Sequence, residues 1–215
     1  MSANKRRPLL AAASVIGVLL LSGCGSSTAG SPAPTSSGVV ADQRIEAVHP
    51  QIPVGRVIGT GTVIDTDGAV QLCLGAVMES YPPQCSGIPV DGWIWDGVDG
   101  SETSGDTTWG SYAVYGTYDG DLYTITDPPI MLALFDPVRP EDPTGGVDGT
   151  SPDADLTAIR DDLVDRLGTK ALSVWTERGY VWVDVVWDDG TLQSAADAEF
   201  GEGVVIITSA LREID

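Results

Sequence analysis

The chain has 215 residues, with 31 Asp or Glu against 11 Lys or Arg and a formal net charge of −20 at pH 7. That excess of acid argues against nucleic acid as a partner, because phosphates are neutralised by Lys and Arg, and against direct adhesion to anionic lipid heads. A single histidine and three cysteines leave little for imidazole-dependent catalysis or a histidine-built zinc site. No phosphate-binding Gly loop and no dinucleotide fingerprint is present.

The N-terminus has the order that export requires. Lys5, Arg6 and Arg7 form a positive region, and residues 9–21 are an uncharged apolar run. A spanning helix needs roughly 20 apolar residues, so the run has the length of a signal-peptide core instead. Leu21, Ser22, Gly23 and Cys24 follow. They resemble the lipobox of bacterial lipoproteins, which implies a cleaved leader over residues 1–23 and acylation of the Cys24 thiol. Two acyl chains anchor a protein stably where one does not. The expected location is therefore the extracytoplasmic face of the plasma membrane, with the lipid on Cys24 as the membrane contact.

Residues 25–38 are Gly, Ser, Thr, Ala and Pro without charge, a composition that cannot bury a core and reads as a tether. As a random coil it would reach roughly 20 Å. The sequence expectation is a tether over residues 24–53, with prolines at 50 and 53 closing it.

A β-rich domain is expected over residues 54–135. Residues 56–65 are rich in Val, Ile and Thr, and Gly59 and Gly61 within them suggest bending or close backbone approach in a small barrel. Thr66, Asp67 and Gly68 signal a turn, and residues 69–74 a returning strand. Residues 75–93 and 96–106 read as loops, and no helix is expected in this half. Asp119 and Gly120 between two β-type runs are a strong hairpin signal. Residues 136–150 carry Pro, Gly and acids and read as a linker.

The period then changes over residues 151–215. Ser151 and Pro152 offer a cap and a first helical position, and Leu156, Ile159, Leu163 and Leu167 share one helix face. Gly168 stops that helix. Residues 172–176 and 180–187 read as strands, with Val181, Val183, Val185 and Trp187 on one face. Residues 192–200 read as a short helix ended by Gly201, and residues 204–208 as a central strand. The fold class expected is α+β: a small antiparallel β-barrel or sandwich, then a small α-β-β-α-β layer with helices on one face of an antiparallel sheet.

Of the three cysteines, lipidation of Cys24 leaves Cys73 and Cys85. An exported pair at this spacing is expected to be oxidised, contributing about 3 kcal/mol on the chain-entropy account. Several motifs resemble a pattern in lipoproteins of high-GC Gram-positive bacteria: Cys73-Leu74-Gly75, Ser80-Tyr81-Pro82-Pro83-Gln84-Cys85, Trp93-Ile94-Trp95, Thr108-Trp109-Gly110 and Gly116-Thr117-Tyr118-Asp119-Gly120. The resemblance implies a location and a shared architecture and supplies no activity.

Chemistry-bearing residues are few. His49 is alone in a linker-like stretch, and Lys170, the one lysine beyond the leader, reads as a surface residue at a helix end. Acids near Asp65, Asp96 and Asp119 raise Ca²⁺ as a ligand, but none has the spacing of a calcium loop and turn chemistry accounts for all of them. No catalytic or metal-binding residue is assigned. Trp93, Trp95, Trp109 and Tyr112 are the candidate ligand-binding residues if exposed, and core otherwise. The functional expectation is a non-enzymatic, lipid-anchored envelope module that binds a protein or glycan partner. The alternative is a hydrolase of cell-wall or extracellular glycan built on two carboxylates.

Overall fold

The computed structural model describes residues 44–137 and 140–214. The leader, Cys24 and residues 25–43 of the expected tether lie outside the described residues. Those described belong to one compact unit of mixed α and β structure with two hydrophobic cores.

The first core is a closed five-stranded barrel with short strands added to its wall. Its barrel strands are β1 (Arg56–Thr66), β2 (Ala69–Cys73), β3 (Ile88–Asp91), β5 (Thr107–Tyr118) and β6 (Tyr123–Ile125); β4 (Glu102–Ser104) and β7 (Ile130–Met131) add to the outer edge of β5. The barrel closes in the order β1-β2-β3-β6-β5-β1. β1 supplies both seams, pairing antiparallel with β2 and with β5 from Val57↔Gly116 to Thr66↔Thr107. The pairing of β3 with β6 is parallel, so the barrel is not wholly antiparallel as expected. Residues 92–106 form a long excursion that carries the chain across before β5 begins. Two stretches read as loops hold strands β3 and β4, each too short to show an alternation in sequence.

Gly61 explains how a long strand bends this tightly. A Cβ at that position would run into the Cys73 carbonyl, and one at Gly59 would meet Leu211. The β1–β2 hairpin turns through Asp67 and Gly68, both with positive φ, the conformation that two-residue turns require. In the β5–β6 turn, Asp119 Oδ1 accepts from the N–H groups of Asp121 and Leu122. Cys73 and Cys85 form a disulfide with Cα atoms 6.0 Å apart.

The second core lies between two helices and a three-stranded sheet. Helix α1 (Asp153–Leu167) buries Leu156, Leu163 and Leu167, as the spacing predicts, and stops at Gly168. The cap position is Pro152 rather than Ser151, and it has no side chain to cap with. β8 (Ala171–Glu177), β9 (Tyr180–Val185) and β10 (Val205–Ser209) form the sheet, and α2 (Thr191–Phe200) connects β9 to β10. β8–β9 is antiparallel and β9–β10 parallel. β9, not the apolar run at β10, is therefore central: a helical crossover returns the chain to the same direction. Val181, Val183 and Val185 face the helices and are buried. Trp187 lies beyond the strand end and packs on the barrel core instead.

The chain crosses between the two cores at both ends. Ile45, placed by sequence in the tether, is 1% exposed in the second core with Leu156 and Val181. Leu211, from the far end, is fully buried in the barrel core, and β11 (Arg212–Ile214) pairs with β1. The expected linker is also fastened: Arg178 binds Asp142 and Asp148 through its guanidinium, and Gly149 N–H donates to Arg178 O.

Candidate functional site

The four aromatic residues chosen from sequence divide. Trp93 and Trp95 are not on a strand, yet both turn inward around Ile94 and meet Tyr112, with ring centroids 5.1 Å apart for the pair and 5.3 Å from Trp93 to Tyr112. Together they plug one end of the barrel. Trp95 Nε1 donates to Asp65 Oδ2 at 2.8 Å, and Tyr112, fully buried, donates its hydroxyl to Asp99 O. Trp109 points to the outer wall, where Tyr81 meets it edge-on at 5.3 Å. A groove of about 630 Å³ runs past Trp93, with Asp96, Asp99, Ile94, Ile130 and Leu134 on its sides. Trp95 and Trp109 are not part of its lining. Most of the aromatic surface that drew attention is thus spent on packing.

Two of the acids considered for Ca²⁺, Asp65 and Asp119, have local work. Asp65 Oδ1 accepts from Gly68 N–H while its other oxygen holds Trp95. Among the described residues no three metal-ligating side chains converge.

A second pocket, of about 550 Å³, lies at the seam between the two cores. Its volume falls within the range of small-molecule sites, which favour such junctions. The barrel contributes Ile88, Pro89 and Tyr118; the second layer contributes Leu167, Val185, Val186, Trp187 and Leu192. A strap made of residues 45–52 crosses it and adds Val48, Pro50 and Ile52. The wall is mainly apolar because strand and helix ends meet there with their last core-facing residues.

The strap is secured at several points. Ile45 N–H donates to Glu199 Oε2, and Gln51 N–H to Asp189 Oδ2. Trp187 Nε1 donates to Gln51 O at 2.8 Å, and Val54 N–H donates to Glu213 Oε1. Arg166 on α1 joins Glu46 of the strap, Asp162 of its own helix and Glu199 of α2. The Arg166 side chain holds the Glu46 carboxyl below the usual range, and the Asp189 carboxyl is lowered chiefly by the Thr191 hydroxyl. Tyr118 is raised, by burial first and then by Asp121 and Asp119.

Two polar residues set aside from sequence both line this pocket. His49 reaches it from the strap, and Lys170 from the turn after α1. Lys170 Nζ donates to the Glu46 carbonyl at 2.8 Å. Nothing local in the sequence signals this, since the two are 121 positions apart. Another aromatic group was legible and missed. Tyr180, Trp182 and Asp184 alternate with the three buried valines of β9, so they line the open face of that sheet. There Trp175 stacks on Trp182, at 6.0 Å and 14°. Compared with family profiles, with curated proteins and with solved structures, the chain matches none.

Proposed function

We propose that this chain is a lipid-anchored protein of the cell envelope, attached through Cys24, and that its folded part is a non-enzymatic binding module whose site is the seam pocket. The carrying observation is the strap. An apolar pocket between two cores is spanned by the segment that follows the expected tether in sequence. The leader motifs and the resemblance to high-GC Gram-positive lipoproteins support the location.

Beside the strap, the carboxyls of Glu46 and Asp189 are lowered by hydrogen bonds to Arg166 and Thr191, the opposite of the raised value a general acid needs, so this pocket is read as a binding site. We also read the barrel order, with its one parallel seam, as that of an oligonucleotide- and oligosaccharide-binding barrel. Fold does not assign function, and a charge of −20 disfavours the nucleic-acid ligands of such barrels.

Two measurements test the reading. Cys24→Ser should abolish palmitate labelling and move the protein out of the membrane fraction; a variant still membrane-bound and uncleaved means a helical anchor instead. Nile red, a neutral apolar dye, should bind one to one, and Ile52→Asp should abolish this. Ile52 is 54% exposed, so the fold should tolerate the change. Dye binding unaltered by Ile52→Asp places the site elsewhere.

A further inference from the structure

Cationic side chains are scarce, 11 Lys or Arg against 31 Asp or Glu, and several of those described are ion-paired. Arg56, Arg160, Arg166 and Arg178 each hold a carboxylate within ion-pair distance. Lys170, an exposed side chain, donates to a backbone carbonyl, which takes one of its three donor hydrogens and leaves two for a ligand. It lines the same pocket as His49, the chain's single histidine. One acid, Asp121, is on the lining, and it comes from the β5–β6 turn of the barrel, whereas both basic groups come from the strap and the end of α1. The pocket is therefore apolar along its wall and basic on one side, inside a strongly acidic molecule. A cationic ligand would be repelled by Lys170, whereas an anionic one gains a charge-assisted hydrogen bond from it.

Building on the pocket reading above, we infer that the ligand is a single-chain amphiphile with an anionic head. Its hydrocarbon chain lies against Ile88, Val186, Trp187 and Leu192, and its carboxylate or phosphate is held by Lys170 Nζ and the His49 imidazole. About 550 Å³ accommodates one chain. Hydrogen bonds between ionised partners, stronger than neutral ones, set the head's position, and the apolar wall supplies affinity without directionality.

Calorimetric titration of the full chain with submicellar laurate and with dodecanol tests this. Laurate should bind one to one and at least about tenfold more tightly than dodecanol, as a charged hydrogen bond allows. The double variant His49→Gln, Lys170→Met should erase that advantage and leave dodecanol binding unchanged. If dodecanol matches laurate and the double variant alters neither, the anionic head is wrong, while a loss of both ligands in Ile52→Asp still upholds the pocket. If neither ligand binds the unaltered chain, the pocket reading falls too.

Discussion

Tyr123 shows what a single hydroxyl does in the barrel. The side chain is fully buried, and its oxygen lies 2.7 Å from the Val114 carbonyl and 3.0 Å from that of Val57, so one proton serves both seam strands. Tyr123→Phe strands two buried acceptors and should cost about 1–2 kcal/mol in chemical denaturation. Burial pushes its ionisation well above the ordinary value, and Tyr112 and Tyr118 are raised for the same first reason. A raised folded pKa means the unfolded chain ionises first. Stability should hold below about pH 10 and decline as pH rises beyond it, with a smaller decline in Tyr123→Phe. The two plug tryptophans make a second contrast. Trp93 Nε1 is buried without a partner, whereas Trp95 Nε1 has Asp65. Trp93→Phe should therefore cost less than Trp95→Phe, by about 1 kcal/mol, because only the second breaks a hydrogen bond to a carboxylate. Equal costs would mean that ring packing alone decides at both positions.

Among the elements, the strap is fastened by carboxylates and should respond to acid. Folded Glu46 and Asp189 are both lowered, so their contribution is present above about pH 4 and lost as pH falls through the lower folded values. Hydrogen exchange at residues 45–52 should accelerate below about pH 4 before the barrel strands do. Arg166→Met should bring the same loosening to neutral pH; protection unchanged in that variant would show that the strap does not depend on the Arg166 ion pairs. The disulfide belongs to this scale as well. With Cys73 and Cys85 paired, thiol labelling should find neither without reduction, and Cys73→Ser with Cys85→Ser should cost about 3 kcal/mol. Elements with a clear period were legible in the sequence: the Leu156-Leu163-Leu167 face of α1, the valines of β9, and the Asp119-Gly120 turn. Two- to four-residue strands such as β3 and β11 were not, because pairing to a distant neighbour, rather than local propensity, makes them strands.

At the scale of the whole molecule, the sequence shows where the character of the chain changes, at residues 136–150, but not that both ends cross back. Nothing local marks Ile45 as core: one apolar residue among Arg44, Glu46 and Ala47 carries no periodicity. His49 and Lys170 were likewise judged singly, and only the seam brings them together. Limited proteolysis should cut first at residues 136–141, ahead of the segment that Arg178 clasps. The two fragments should nevertheless co-elute on size exclusion under native conditions, because Ile45 belongs to the second core and Leu211 to the first. Fragments that separate cleanly would show that these end contacts contribute little.

The closing strand also sets a schedule. A chain delivered N-terminus first presents β1 long before its partner β11, and offers Ile45 long before α2 exists to receive it. The Ile45–Glu199 and Val54–Glu213 bonds span 154 and 159 positions. Contacts this remote form late and slow the search. If the chain is exported as proposed, it stays incomplete, with the barrel edge and seam exposed, until Arg212–Ile214 have emerged. Loss of Arg212–Ile214 should then act less as a trimming of the end than as an arrest of maturation, detectable as persistent protease sensitivity of the strap at the opposite terminus.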